Sequence, residues 1–180
     1  SGVILFNGDD VSQTPVQARN VGLVPQRFAL FPHMTVEKNI AFGLRVRGYP
    51  KTDIREKLDE MLDIVQLRPL RDRFPAQLSG GQMQRVAIAR TLITKPSLLM
   101  MDEPFSSLDT GLRGEMRRFV HDLQQRLAIT TIFVTHDQAE ALEVADRVAV
   151  ILNGRLAQFD PPEMLYARPR SIKVADFMGI

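Results

Sequence analysis

The sequence predicts an α/β fold, a parallel-sheet core with a mainly helical segment inserted into it. Three observations carry this. From Leu98 onward, short apolar runs alternate with amphipathic stretches, the order expected of strands and helices wound around one parallel sheet. Two of those runs empty into polar groups, at Asp102 and His136, the strand ends where open parallel sheets hold ligands. Between about Met34 and Ala76 the apolar spacing is mostly helical, as in an insertion. The chain has 180 residues, 44% hydrophobic and 24% charged, which suits one globular domain and excludes a disordered or fibrous chain. A net charge of +2 gives no argument for nucleic acid or an anionic membrane. With no cysteine, disulfide scaffolds, thiolate metal sites and cysteine catalysis are excluded. No apolar run approaches the length of a membrane-spanning helix.

Taken in order, Ser1 to Phe6 reads as a strand running into the Asn7-Gly8 turn. Val21 to Val24 is a second short strand, closed by Pro25-Gln26. An aromatic-rich loop follows from Phe28 to Met34, then helical patterning to about Leu44, broken at Gly48-Tyr49-Pro50. Thr52 starts a helix with Ile54, Leu58, Met61 and Val65 on one face. Ser79-Gly80-Gly81 opens another that runs to Lys95-Pro96. Leu98 to Met101 reads as a fully buried strand. Leu112, Met116, Val120, Leu123 and Leu127 mark an amphipathic helix, Ile129 to Val134 a strand, and Gln138 to Ala145 a helix. Val148 to Leu152 and Arg155 to Phe159, joined by Asn153-Gly154, read as a hairpin.

Two segments carry chemistry. After an apolar strand, Asp102-Glu103 offers one carboxylate to hold Mg²⁺ through oxygen and a second to orient an attacking water. Taken alone, the same residues are an ordinary strand followed by a polar loop. Leu78-Ser79-Gly80-Gly81-Gln82 offers a serine cap and two glycines that leave backbone N–H groups accessible. The helix dipole favours an anion at such an end.

Gln26, Leu78–Gln82, Leu98–Pro104, Ser106-Ser107-Leu108-Asp109 and Thr135-His136-Asp137 occur in one order. They resemble the Q-loop, signature motif, Walker B, D-loop and H-switch of ATP-binding-cassette ATPases, and the resemblance covers essentially the whole chain. The segments Phe28 to Val36 and Thr135 to Ala141 are most similar to importer ATPases serving sugars, polyamines, ferric iron or sulfate. The resemblance implies a P-loop NTPase-type (RecA-like) parallel-sheet core with an inserted helical subdomain. Its expected parts are residues 1–33 (core with the Q-loop), 34–84 (helical subdomain ending in the signature motif), 85–166 (core with Walker B, D-loop and H-switch) and 167–180 (exit segment). It implies ATP and Mg²⁺ as cofactors. Asp102 and Gln26 would attend the metal, Glu103 would polarise the hydrolytic water, and His136 would contact the γ-phosphate. Ser79, Gly80, Gly81 and Gln82 would act on a nucleotide held by another subunit, with Asp109 organising that interface. The implied partners are a second ATPase subunit, most simply in a homodimer, transmembrane permease subunits contacted by the Phe28–Val36 loop, and indirectly a solute-binding protein, with no nucleic acid. The implied location is the cytoplasmic face of the inner membrane, peripherally bound. His33 and His121 gain no role from it.

One family element is missing. A phosphate-cradling P-loop needs a glycine, four residues, then Gly-Lys-Ser/Thr. The nearest spacing, Gly43 to Gly48, is followed by Tyr49-Pro50, and none of the five lysines follows a glycine loop. The resemblance therefore implies a chain truncated before the Q-loop region, without the N-terminal P-loop strand and helix, and inactive alone. Two other readings stay open: a cassette ATPase of DNA repair, chromosome organisation or translation, and a non-catalytic module donating only its signature motif. The short interval from Gln26 to Ser79 speaks against the first, and retention of Glu103 and His136 speaks mildly against the second. The transported cargo cannot be read from these residues.

Overall fold

The computed structural model describes residues 2–179; Ser1, the expected start of the first strand, and Ile180, the end of the exit segment, lie outside the described residues. A three-stranded parallel sheet forms the centre, built from β3 (Val21–Val24), β4 (Leu98–Asp102) and β5 (Thr131–Val134), side by side in that order. The sequence-predicted parallel α/β core is therefore present. Helices α1 (Val36–Val46), α2 (Lys51–Ile64) and α3 (Gly80–Leu92) fill the β3–β4 crossover, and α4 (Thr110–Leu127) fills the β4–β5 crossover. After β5 come α5 (Gln138–Val144), the antiparallel pair β6 (Val148–Leu152) and β7 (Arg155–Asp160), then α6 (Pro162–Ala167) and α7 (Ile172–Phe177).

Register fixes which side of the sheet is covered. Gly22 pairs with Leu99, and Val24 with Met101, so these four share one face. All four are buried. Helix α3 lies against this face so closely that a Cβ on Gly22 would overlap Thr91, and only glycine permits that approach. On the other face Leu23 and Ile132 are 55% and 49% exposed. The expectation of a fully buried β4 is thereby corrected. Leu99 and Met101 are buried, Leu98 and Met100 only partly, because among the described residues α3 covers one side of the sheet.

Sequence logic is visible in the local structure. Asn153 and Gly154 both take positive φ, 51° and 72°, as the two-residue β6–β7 turn demands. Asn7 and Gly8 do the same at 51° and 93°, and the expected strand runs into this turn, shortened to β1 (Leu5–Phe6) and paired with β2 (Asp9–Asp10) in a small hairpin. Helices α1, α2 and α3 share one continuous core with the sheet, from Ile40, Leu44 and Leu62 through Ile88 to Leu99 and Phe105. One polar residue in α3 stands out. Gln84 is fully buried, and among the described residues neither end of its amide has a hydrogen-bond partner, an arrangement that costs stability.

Candidate functional site

All three strands of the parallel sheet deliver polar residues to the same edge. Gln26 follows the end of β3, Asp102 ends β4 with Glu103 after it, and His136 follows the end of β5. The backbone at Glu103 is the most constrained point. Its φ is +42°, a region unfavourable for a side chain and more so before a proline. Three bonds hold it there. The Glu103 N–H donates to the Val134 carbonyl at 2.8 Å, and the Glu103 carbonyl accepts from the Ser106 N–H at 3.2 Å and the Ser106 hydroxyl at 2.8 Å. Strain of this kind persists only where the surroundings over-determine it, and it gathers at functional sites.

That backbone turn presents the Glu103 carboxylate to partners from distant segments. The Gln26 Nε2 amide donates to one oxygen at 3.0 Å, and the His136 Nδ1–H donates to the other at 2.9 Å. Gln26 Nε2 also lies 3.3 Å from the Ser106 hydroxyl. With its nitrogen turned inward, Gln26 keeps its amide oxygen without a donor among the described residues, available as an acceptor. Glu103 is 29% exposed and His136 75%, so the carboxylate is sheltered while the ring is open to an incoming ligand. The neighbouring carboxylate holds the His136 imidazole above its ordinary pKa of 6.5, through the Glu103 hydrogen bond first and then the Glu103 charge, with Glu140 and Asp137 adding to it.

Around this trio lies a small cleft of about 90 Å³ bordered by Ser106, Arg113, Thr135, Asp137 and Glu140 as well as Glu103 and His136. Its floor is built from buried hydrogen bonds. Glu140 is almost fully buried and accepts from the Thr135 hydroxyl at 2.5 Å, while the same hydroxyl accepts from the Asp137 N–H at 3.0 Å. Asp137 caps α5 by accepting from the Glu140 N–H at 3.3 Å. Arg113 donates its Nε–H to the Leu108 carbonyl at 3.1 Å, tying the Ser106–Asp109 turn to the cleft wall. Ser106, Arg113, Thr135 and Glu140 received no role from the sequence. The Asp-x-x-Glu spacing of Asp137 and Glu140 was a usable capping signal; Arg113 had none.

The remaining expected site residues form a second, separate group. Ser79 caps α3 by accepting from the Gln82 N–H at 3.3 Å, and the Gln82 side chain accepts from the Ser79 N–H at 2.9 Å, a reciprocal capping box. Gly81 is buried, and a Cβ on Gly80 would press to 3.1 Å from Leu108. Gly80 therefore serves close packing against the Ser106–Asp109 turn as well as any ligand, whereas Gly81 faces Leu112 and Met116 of α4. Asp109 caps α4, accepting from the Leu112 N–H at 3.0 Å. No hydrogen bond among the described residues joins Ser79, Gln82 or Asp109 to Glu103 or His136.

Asp102 is exposed and, among the described residues, makes no side-chain hydrogen bond or ion pair. It and the free Gln26 oxygen form an all-oxygen donor set, which fits Mg²⁺ in its habit of taking one or two protein ligands and completing its shell with phosphate and water. No group of three or more His, Asp or Glu among the described residues is placed to hold a metal alone. A larger cavity of about 460 Å³, with Met61, Leu92, Leu127 and Ile129 among its lining residues, opens at the other end of the strands and holds none of the expected site residues. No helix among the described residues is long and apolar enough to cross a membrane.

Comparison with known proteins gives a consistent picture. The family described as ABC transporter matches residues 1–106. The sulfate/thiosulfate import ATP-binding protein CysA of Xanthomonas campestris is 49% identical over 99% of this chain and 53% of its own length. CysA of Brucella melitensis is 51% identical over 99% of this chain and 51% of its own. The Fe(3+) ions import ATP-binding protein FbpC of Vibrio cholerae is 46% identical, again over 99% of this chain and 51% of its own length. The chain spans about half the length of the curated relatives it matches.

Proposed function

The chain belongs to the ABC transporter family, and on that premise we propose that its residues are part of the ATP-hydrolysing subunit of a membrane importer. The observation that carries this is the Gln26–Glu103–His136 cluster, in which three segments meet on one carboxylate at the edge of a parallel sheet. Glu103 acts as the polarising base. Its carboxylate is sheltered and held by two donors, so it is oriented to accept a proton from water. Gln26 steadies that carboxylate through its nitrogen, while its oxygen and the Asp102 carboxylate would hold Mg²⁺. A metal bound there supplies charge neutralisation on phosphate oxygens. His136 keeps its proton to higher pH beside Glu103 and turns an exposed ring towards the terminal phosphate.

The Ser79–Gln82 helix start and Asp109 complete the site of a second subunit, which gives a head-to-tail pair. Their self-contained caps support this, since each is already folded without touching the Glu103 cluster. The Phe28–Val36 loop faces the permease subunits, with a solute-binding protein acting upstream of them, at the cytoplasmic face of the membrane. The names of the relatives point to sulfate/thiosulfate or ferric ions as cargo. No glycine-x4-Gly-Lys-Ser/Thr run occurs within these residues, so these 180 residues on their own should bind Mg-ATP weakly and turn none over. Two measurements test the proposal. Calorimetric titration of the 180-residue chain with Mg-ATP should show no saturable binding below millimolar concentration. In the full-length gene product, phosphate release from ATP should depend on Glu103; turnover untouched by Glu103→Gln would sink the assignment.

A further inference from the structure

The loop between Gln26 and α1 is fastened from two sides, and one of the fasteners has no part in the proposed chemistry. From α1, the fully buried Asn39 accepts the Phe31 N–H at 2.8 Å and donates to the Phe31 and Met34 carbonyls at 3.1 and 3.0 Å. From the last turn of α3, Arg90 donates to the Ala29 carbonyl at 2.7 Å and the Phe28 carbonyl at 3.2 Å. Its guanidinium also lies over the Phe31 ring, 5.4 Å from the centroid. Ala29 takes a φ of +48°, a left-handed turn that accompanies two consecutive carbonyls bonding to one side chain.

Arg90 has no carboxylate within ion-pair distance among the described residues, and burial lowers its pKa without any charged group to offset it. A half-buried guanidinium spent on two neutral carbonyls and one ring is a costly way to fill space. It is a good way to fix a loop, because its planar fork can serve two acceptors at once while stacking on an aromatic face. Lysine, with one ammonium centre, cannot reproduce that geometry.

We propose that Arg90 is a positioning residue that locks the Phe28–Met34 loop to helix α3, and through it holds Gln26 against Glu103. Helix α3 begins at the Ser79–Gln82 capping box and ends at this clamp. One rigid element thus links the helix start assigned to a second subunit with the loop that carries Gln26. This consequence for catalysis rests on the proposed function, whereas the clamp itself is a matter of geometry.

The test is hydrogen exchange by mass spectrometry on the full-length protein, comparing Arg90→Met and Arg90→Lys with the unsubstituted chain. The expected result is exchange at least about tenfold faster in peptides covering residues 26–34 of Arg90→Met, with α1 and the first turns of α3 unchanged. Arg90→Lys, keeping the charge but with its donors on one nitrogen, should fall between the two, and it serves alone if Arg90→Met does not fold. Unchanged exchange in the loop would overturn the proposal, as would protection lost equally across the loop, α1 and α3, the mark of general destabilisation. ATP turnover of the unsubstituted protein in the same preparation decides the functional reading separately, since the exchange pattern does not depend on it.

Discussion

Glu103 and Ser79 stand at the centres of two unlike constructions. Around Glu103, partners come from positions 26 and 136, far apart in the chain and adjacent in space, and they meet on a strained backbone. At Ser79 and Asp109, every side-chain hydrogen bond among the described residues closes within three residues. The first is an assembled tertiary site that exists only when the sheet is folded. The second is local helix capping that any well-started helix could carry. The difference teaches where to look for chemistry: long-range polar contacts that hold strain point to a catalytic centre, whereas self-satisfied caps point to a surface ready to meet something else.

Substitutions can break or sharpen that contrast. The largest effect should come from Glu103→Gln, which keeps the side chain's size, turns one of its two acceptor oxygens into a donor and removes the proposed base. ATP turnover of the full-length protein should fall about 100-fold or more, with nucleotide affinity retained. Gln84→Met should act in the opposite sense on stability. Replacing the orphaned buried amide in α3 by an apolar side chain of similar size should raise the unfolding free energy by roughly 1 kcal/mol, read as a higher urea midpoint. Ser79→Ala should cost about 1 kcal/mol by removing the α3 cap, and it should leave the titration of His136 where it was. If that titration moved, the two regions would be coupled more tightly than their hydrogen bonds indicate. The smallest stability change is expected from Gln26→Ala, about 0.5 kcal/mol or less, because the lost bond is exposed.

Much of the fold was legible because its signals are local. The apolar runs of β3, β4 and β5, the Asn153-Gly154 turn and the Ser79 cap each declare themselves within a few residues. Helices α6 and α7 went unread. At six residues each they are too short to show a helical period, although Pro162 in the first turn and the Ser171 cap were signals of a start. The two-residue strand β2 is Asp9-Asp10, residues with no strand preference, and only its pairing with β1 makes it one. One-sided burial of β4 could not be read at all, since it depends on which face α3 covers. For the site, the resemblance named Gln26, Glu103 and His136, but nothing in their spacing said that they touch. Arg113 had no sequence signal at all, and the capping spacing that marks Glu140 does not say that it lines a cleft. Their places in the cleft depend on how α4 and α5 pack, and no local pattern encodes that.

The assembled character of the Glu103 site makes a prediction about pH. Because the carboxylate raises the His136 pKa in the folded protein, the ion pair contributes fully below pH 6.5, the ordinary value for the ring. That contribution is lost as the pH rises through the higher folded value. The most direct test is an NMR titration of the His136 ring in the wild-type protein and in Glu103→Gln. The account predicts a wild-type midpoint above 6.5 that falls towards the ordinary value when the carboxylate is neutralised, with Glu140 and Asp137 accounting for any small remainder. The same midpoint in both proteins would mean that Glu103 and His136 do not meet in solution, and the assembled Glu103 cluster would be contradicted.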